Sequence, residues 1–290
     1  MAESSREIKR RIASITSTQQ ITKAMEMVAA AKLRKAQETV VNTRPYYERI
    51  ATSLNTVLDG VKQGGEELPE IAQAREGEGH CLLVLTSDRG LAGGYNAAII
   101  REAEAFLRKY PKTDMVIVGR KARDHFRRRG QTFLAEFVNM GDNPSARQGQ
   151  DIGQVIMDFY AHGLFDKVTI LYTKFINTVT YEVTLREVLP ITDQLKDIKK
   201  DGPIPIYIFE PSINAVLEAL IPLYLHTAVY QALTEAKASE LGARMNAMRN
   251  ATDNAGELIQ ELNLTYNRAR QAQITKEIAE IVGGADALQS

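Results

Sequence analysis

The sequence predicts an α/β protein in which long N- and C-terminal helices pair as an antiparallel coiled coil around an inserted three-layer α/β domain. Three observations predict it: an unbroken heptad seam from Ile8 to Val61, a second from Ala238 to Ala269, and apolar runs of strand length between them. The boundaries read as residues 1–61 for the first helix, 75–195 for the insert and 210–285 for the second helix.

In the first helix, Ile8, Ile12, Ile15, Gln19, Thr22, Glu26, Ala29, Leu33, Ala36, Val40, Thr43, Tyr47, Ile50, Leu54, Val57 and Val61 follow one 4-3 spacing. That places them on one stripe of a helix. Ala29 and Ala36 would let a neighbouring helix approach closely. Pro45 lies off the seam and is expected to kink or briefly interrupt the helix. The pattern fades in "DGVKQGGEELPE", a loop by its Gly and Pro content.

The insert follows. "CLLVLTS" (81–87) and "DMVIVG" (114–119) read as buried parallel strands, each followed by a helical segment. "TFLAEFV" (132–138), "DKVTILYTKF" (166–175) and "TVTYEVTLREVL" (178–189) complete a sheet of five strands, with a helix near Ala146–Ala161. Helices on both faces of such a sheet make a Rossmann-like arrangement.

The second seam runs through Ala238, Leu241, Met245, Met248, Thr252, Ala255, Ile259, Leu262, Tyr266 and Ala269. Upstream, Val216, Leu220, Leu223 and Val229 extend the helical spacing, so this helix is expected to run from Ser212 to Ile281, roughly 100 Å at about 1.5 Å per residue. Its most apolar window, Val216–Leu233, is broken by Glu218, Pro222 and His226, which argues against a membrane span.

Composition narrows the function. Lys plus Arg (36) balances Asp plus Glu (36), so overall charge points to neither nucleic acid nor an anionic membrane. Cys81 is the only cysteine, which excludes an intrachain disulfide and a multi-cysteine zinc site. The four histidines are dispersed, and no catalytic triad, metal or cofactor site can be built from spacing.

Two local signals carry alternatives. "SDRGLAGGYN" (87–96) follows the first strand, where α/β proteins place phosphate loops, but Gly90, Gly93 and Gly94 match neither G-x-G-x-x-G nor a P-loop. A turn or domain contact is the expected role, and a nucleotide-binding α/β enzyme is the alternative. "GRKARDHFRRRG" (119–130) carries six Lys and Arg residues and reads as an amphipathic surface helix with Phe126 inward; a nucleic-acid patch is the competing reading. A coiled-coil scaffold without an assembly role is the remaining alternative.

The terminal helices are more informative. Residues 6–35 hold eight Lys and Arg against Glu7 and Glu26, a net charge of 8 − 2 = +6, which suits acidic neighbours. Both seams also lapse: at Gln19, Thr22 and Glu26 in the first, and at Gln273 and Lys276 after the second. Ile21, Met25 and Val28 form a further stripe beside the first lapse, and Ile274, Ile278 and Ile281 one beside the second. If the two lapses lie at one end of the hairpin, that tip presents apolar stripes outward, as interfaces do.

"STQQITKAMEMVAAAKLRKAQ" (17–37), "TSDRGLAGGYN" (86–96), "TKFINT" (173–178), "ARMNAMRNATDNAGELI" (243–259) and "YNRARQAQITKEIAEIVGGADA" (266–287) together resemble, in order and across the whole chain, the gamma subunit of F-type ATP synthases. The last segment has Ile274, Thr275, Glu277, Glu280, Gly284 and Ala285 where that family's signature requires them. The resemblance implies a non-catalytic central rotor shaft without a cofactor. It would be inserted in a ring of three alpha and three beta subunits and turned by a proton-driven c ring. It further implies that Lys23, Met25, Arg270, Gln271 and Thr275 meet beta-subunit loops, that Ile274, Ile278 and Ile281 form a bearing tip, and that a foot at Arg44, Tyr46, Tyr47 and Tyr207 contacts epsilon and the c ring. The absence of the paired-cysteine insertion of chloroplast relatives and of a transit peptide leads to an expected place on the cytoplasmic face of a bacterial membrane.

Overall fold

A computed structural model describes residues 5–64, 68–75, 77–191, 210 and 212–289. The elements run α1 (Ser5–Gly64), a short 3-10 turn (Glu70–Ala72), β1 (His80–Leu85), α2 (Tyr95–Lys109), β2 (Thr113–Val118), α3 (Arg120–Arg127), β3 (Ala135–Phe137), α4 (Ala146–Ala161), β4 (Lys167–Phe175), β5 (Tyr181–Leu189) and α5 (Ile213–Gln289). By packing, the chain forms two units: residues up to Val28 with those from Met245 onward, and Ala29–Arg244.

The larger unit is built on one five-stranded sheet of order β3-β2-β1-β4-β5. The first four strands in that order are parallel, and β5 returns antiparallel along β4. Its strands are apolar on both faces because both faces are covered. Cys81, Leu83, Leu85, Val116, Val118, Ile170 and Tyr172 pack into one cluster with α4 and with parts of α1 and α5. Leu82, Val84, Met115, Ile117 and Leu171, one residue out of phase, pack against α2 and α3. Two-residue alternation therefore divides continuous apolar runs between two cores, giving the three layers.

Turn chemistry sets element ends. The Asn177 side chain accepts from the Val179 and Thr180 amides at 2.9 and 2.7 Å, so β5 starts at Tyr181 and not at Thr178 as the spacing suggested. Ser145 and Gln148 form a reciprocal capping box at the start of α4, the helix placed near Ala146–Ala161 by its sequence. α4 approaches α5 through Gly149 and Gly153: a Cβ on the first would lie 2.6 Å from Tyr230 Cβ, and on the second 2.5 Å from His226 Cδ2. Any side chain there would push the two helices apart.

Pro45 lies inside α1, which is not interrupted there. α5 continues through Pro222 and extends to Gln289, beyond the expected end at Ile281. α5 contains a stretch apolar enough, by length and composition, to cross a membrane, with a mean hydropathy of 1.3. Within that helix Leu217, Ile221, Leu225, Ala228, Val229 and Ala232 are buried in the sheet-facing core.

Candidate interaction surfaces

The heptad reading is met residue by residue. All sixteen seam positions from Ile8 to Val61 are buried or half-buried, and so are the ten from Ala238 to Ala269. From Arg270 through Val282 every residue is exposed.

In the smaller unit the helices are antiparallel. Ser5 Oγ donates to Gln273 Oε1 at 3.2 Å, Gln19 Nε2 to the Thr252 carbonyl at 3.4 Å, and Thr252 Oγ1 to Thr22 Oγ1 at 2.8 Å. Arg249 Nε donates to Glu26 Oε1 at 3.1 Å while Lys23 Nζ holds Oε2 at 3.0 Å. This register corrects the expectation that the two seam lapses share one end. The lapse at Gln19, Thr22 and Glu26 faces Thr252 and Arg249, and side-chain hydrogen bonds fill it. Glu26 is only 6% exposed. The Lys23 hydrogen bond, then that of Arg249, holds its carboxyl below the ordinary carboxylate range against the opposing effect of burial.

The second lapse is different in kind. Gln273 sits level with Ser5, the first described residue of α1, so among the described residues α1 offers no partner to the turns that follow. Ile274, Ile278 and Ile281 are 42%, 57% and 71% exposed on one stripe. Arg270, Gln271 and Thr275 are exposed beside them, Thr275 bonding its Oγ1 back to the Gln271 carbonyl at 2.9 Å. In α1, Ile21 and Val28 are exposed, Met25 is half-buried, and Lys23 remains over half exposed despite its bond to Glu26.

The residues assigned to the foot separate. Tyr46 is exposed. Tyr47 is half-buried and stacks on Tyr224, with ring centroids 6.0 Å apart, and Arg44 Nη2 pairs with Glu235 Oε1 at 3.2 Å. Tyr207 lies outside the described residues.

The glycine loop after β1 is a contact within the larger unit. Arg244 of α5 donates to the carbonyls of Gly90 and Arg89 at 3.2 and 3.4 Å. Asp88 accepts from the Arg120 and Met140 amides at 3.1 Å each, and Asn96 Oδ1 from the Ser87 amide at 3.0 Å. The cavity left there is about 50 Å³, far below the roughly 300 Å³ at which ligand pockets begin. Around α3, Arg127 pairs with Glu136 at 2.6 Å and Arg129 with Glu104 at 3.5 Å, His125 Nε2 lies 2.8 Å from Glu104 Oε1, and Phe126 is buried. Sequence reasoning missed Arg249, Glu235 and Arg186. Their signal was faint, a charged residue beside a seam or within a strand, and pairing across elements reveals it.

A family model described as ATP synthase matches residues 4–288. The chain is 48% identical over 290 residues to the ATP synthase gamma chain of Heliobacterium modesticaldum, covering 98% of each. It is 47% identical over 293 residues to that of Symbiobacterium thermophilum, covering all of both. Among solved structures it is similar to a chain from the central stalk and c ring of the Tetrahymena thermophila mitochondrial ATP synthase, with a TM-score of 0.61, 26% identity, and coverage of 80% of this chain and 99% of that one. A chain of the Euglena gracilis mitochondrial ATP synthase matches in fold, with a TM-score of 0.68 at 21% identity, covering 98% and 94%.

Proposed function

We infer how this chain works from one premise: it belongs to the ATP synthase gamma-chain family. It is the central-stalk rotor subunit of that membrane-associated complex, with the alpha and beta subunits and the c ring as its partners. Within that role its functional parts are the N-terminal segment of residues 1–61, the insert of residues 75–195 and the C-terminal segment of residues 210–285, which contain most of α1, the sheet and most of α5 respectively. The chain itself performs no chemistry. It couples proton-driven turning of the c ring to the catalytic beta subunits, working at the cytoplasmic face of a bacterial membrane.

The observation that carries the reading is the isoleucine stripe at 274, 278 and 281, exposed beyond Gln273, the last residue bonded to α1 among the described residues. An apolar stripe of this kind fits a sleeve that encloses it while it turns, because dispersion contacts are non-directional and resist sliding little. Arg270, Gln271 and Thr275, with Lys23 and Met25 on α1, offer the polar and adaptable contacts that hold a beta-subunit loop during a dwell. Hydrogen bonds of roughly 0.5–3 kcal/mol each are strong enough to favour one orientation and weak enough to break at the next step. Different faces of the helix pair present different contacts to the three beta subunits, so each subunit is biased toward a different conformation. Among the described foot residues Tyr46 is exposed, and it is the one that meets epsilon and the c ring.

The test is a reversible disulfide between this chain and a beta subunit, with Cys81 replaced. The cross-linked complex should lose multiple-turnover ATP hydrolysis and regain it on reduction. Unimpaired hydrolysis in a verified cross-linked complex would overturn the rotor reading.

A further inference from the structure

One turn of α1 is held from outside by two other elements. Thr43 Oγ1 donates to Gln231 Oε1 of α5 at 2.7 Å, and Arg44 Nη2 reaches Glu235 Oε1 of α5 at 3.2 Å, where Gln231 Nε2 also donates at 2.8 Å. Tyr47 lies under the Arg186 guanidinium of β5, 5.1 Å from the ring centroid, and the same guanidinium is 5.0 Å from the Tyr172 ring of β4. Gln231 and Glu235 are 1% and 3% exposed, so the α5 side of these contacts is removed from water, while the Arg44 side chain stays 41% exposed.

The turn so held contains Pro45. Proline has no N–H, so the bond from residue 45 to the Val41 carbonyl is missing, and the ring crowds that carbonyl. A helix under torsion yields first where its ladder is broken. Yet α1 runs through this position without a break, and the turn is gripped on both sides of the proline.

We propose that Arg186 and Glu235 are positioning residues of a clamp that stiffens α1 across its proline-weakened turn, so that torque passes along the helix without loss. The clamp rests on the rotor reading above. It assigns Arg44 and Tyr47 to an internal joint and leaves Tyr46 to face partners.

The experiment uses the assembled, membrane-reconstituted complex carrying Arg186→Met, which keeps the apolar stem and removes the cation. Amide exchange of residues 43–50 should accelerate about tenfold. Protons pumped per ATP hydrolysed should fall at least about threefold while hydrolysis stays within about twofold of wild type. Adding Pro45→Ala, which restores the missing N–H, should recover most of the pumping ratio; a residue that merely supports folding would not be rescued so. An unchanged pumping ratio in Arg186→Met, or no recovery with Pro45→Ala, overturns the clamp. If Arg186→Met does not assemble, Glu235→Gln is read in the same way, and an unchanged ratio there is equally decisive against it. Failure of the rotor reading itself would show separately, as hydrolysis that survives the beta-subunit cross-link in the otherwise wild-type complex.

Discussion

Ile8 and Ile281 are the same side chain in the same helix pair, and the structure gives them opposite energetics. Ile8 is 1% exposed and Ile281 is 71% exposed. Truncation of isoleucine to alanine removes three carbons, which at about 0.8 kcal/mol each is roughly 2.4 kcal/mol of burial. At Ile8 a cavity term adds to this, for a total of about 2–5 kcal/mol. At Ile281 less than a third of the side chain is out of water, so the loss should stay below about 0.7 kcal/mol. The assay is urea unfolding of the isolated full-length chain followed by far-ultraviolet circular dichroism. Ile8→Ala should lower the midpoint clearly and Ile281→Ala hardly at all. Addition of alpha and beta subunits should then expose a cost at Ile281 in the yield of complex, because there the stripe finds its sleeve. Equal costs at the two positions in the isolated chain, or a cost below about 0.5 kcal/mol at Ile8, would refute the division between seam and bearing.

Two further outcomes follow from the terminal helices. Replacing Ile274, Ile278 and Ile281 together by Leu should leave ATP-driven proton pumping and complex yield near wild type, whereas Arg270→Ala with Gln271→Ala should weaken assembly or coupling. The reverse pattern would mean that shape, not polar contact, sets the dwell. Glu26 has its folded-state pKa depressed, chiefly by Lys23, so its contribution to stability is full above the unfolded value of about 4.3 and is lost as pH falls through the folded value. The stability difference between wild type and Glu26→Gln should therefore shrink as pH drops below about 4.3; a difference that stays constant down to pH 2 would show that the Lys23 and Arg249 bonds do not set its ionisation.

What could be read without the structure follows from periodicity along one chain. Heptad spacing marks the face of a helix that must leave water, and every marked seam position is at least half-buried. The same logic identified β1 and β2 as strands buried on both faces, and a helix was placed near Ala146–Ala161. It also singled out Ile274, Ile278 and Ile281 as a stripe outside the seam.

Register was decided only in three dimensions. A heptad seam satisfies its apolar contacts nearly as well after a shift of seven residues, so spacing cannot say which residue of α5 faces Gln19. The hydrogen bonds from Thr252 to Thr22 and from Arg249 to Glu26 distinguish one register from the next, because any other leaves buried polar groups unpaired. That choice turned the first lapse into a polar layer and left the second, past Gln273, without a partner on α1 among the described residues. The grip on Tyr47 by Arg186 and the close approach of α4 to α5 at Gly149 and Gly153 belong to the same class. Each joins residues distant in sequence, and a pattern within one element carries no information about which distant residue will arrive against it.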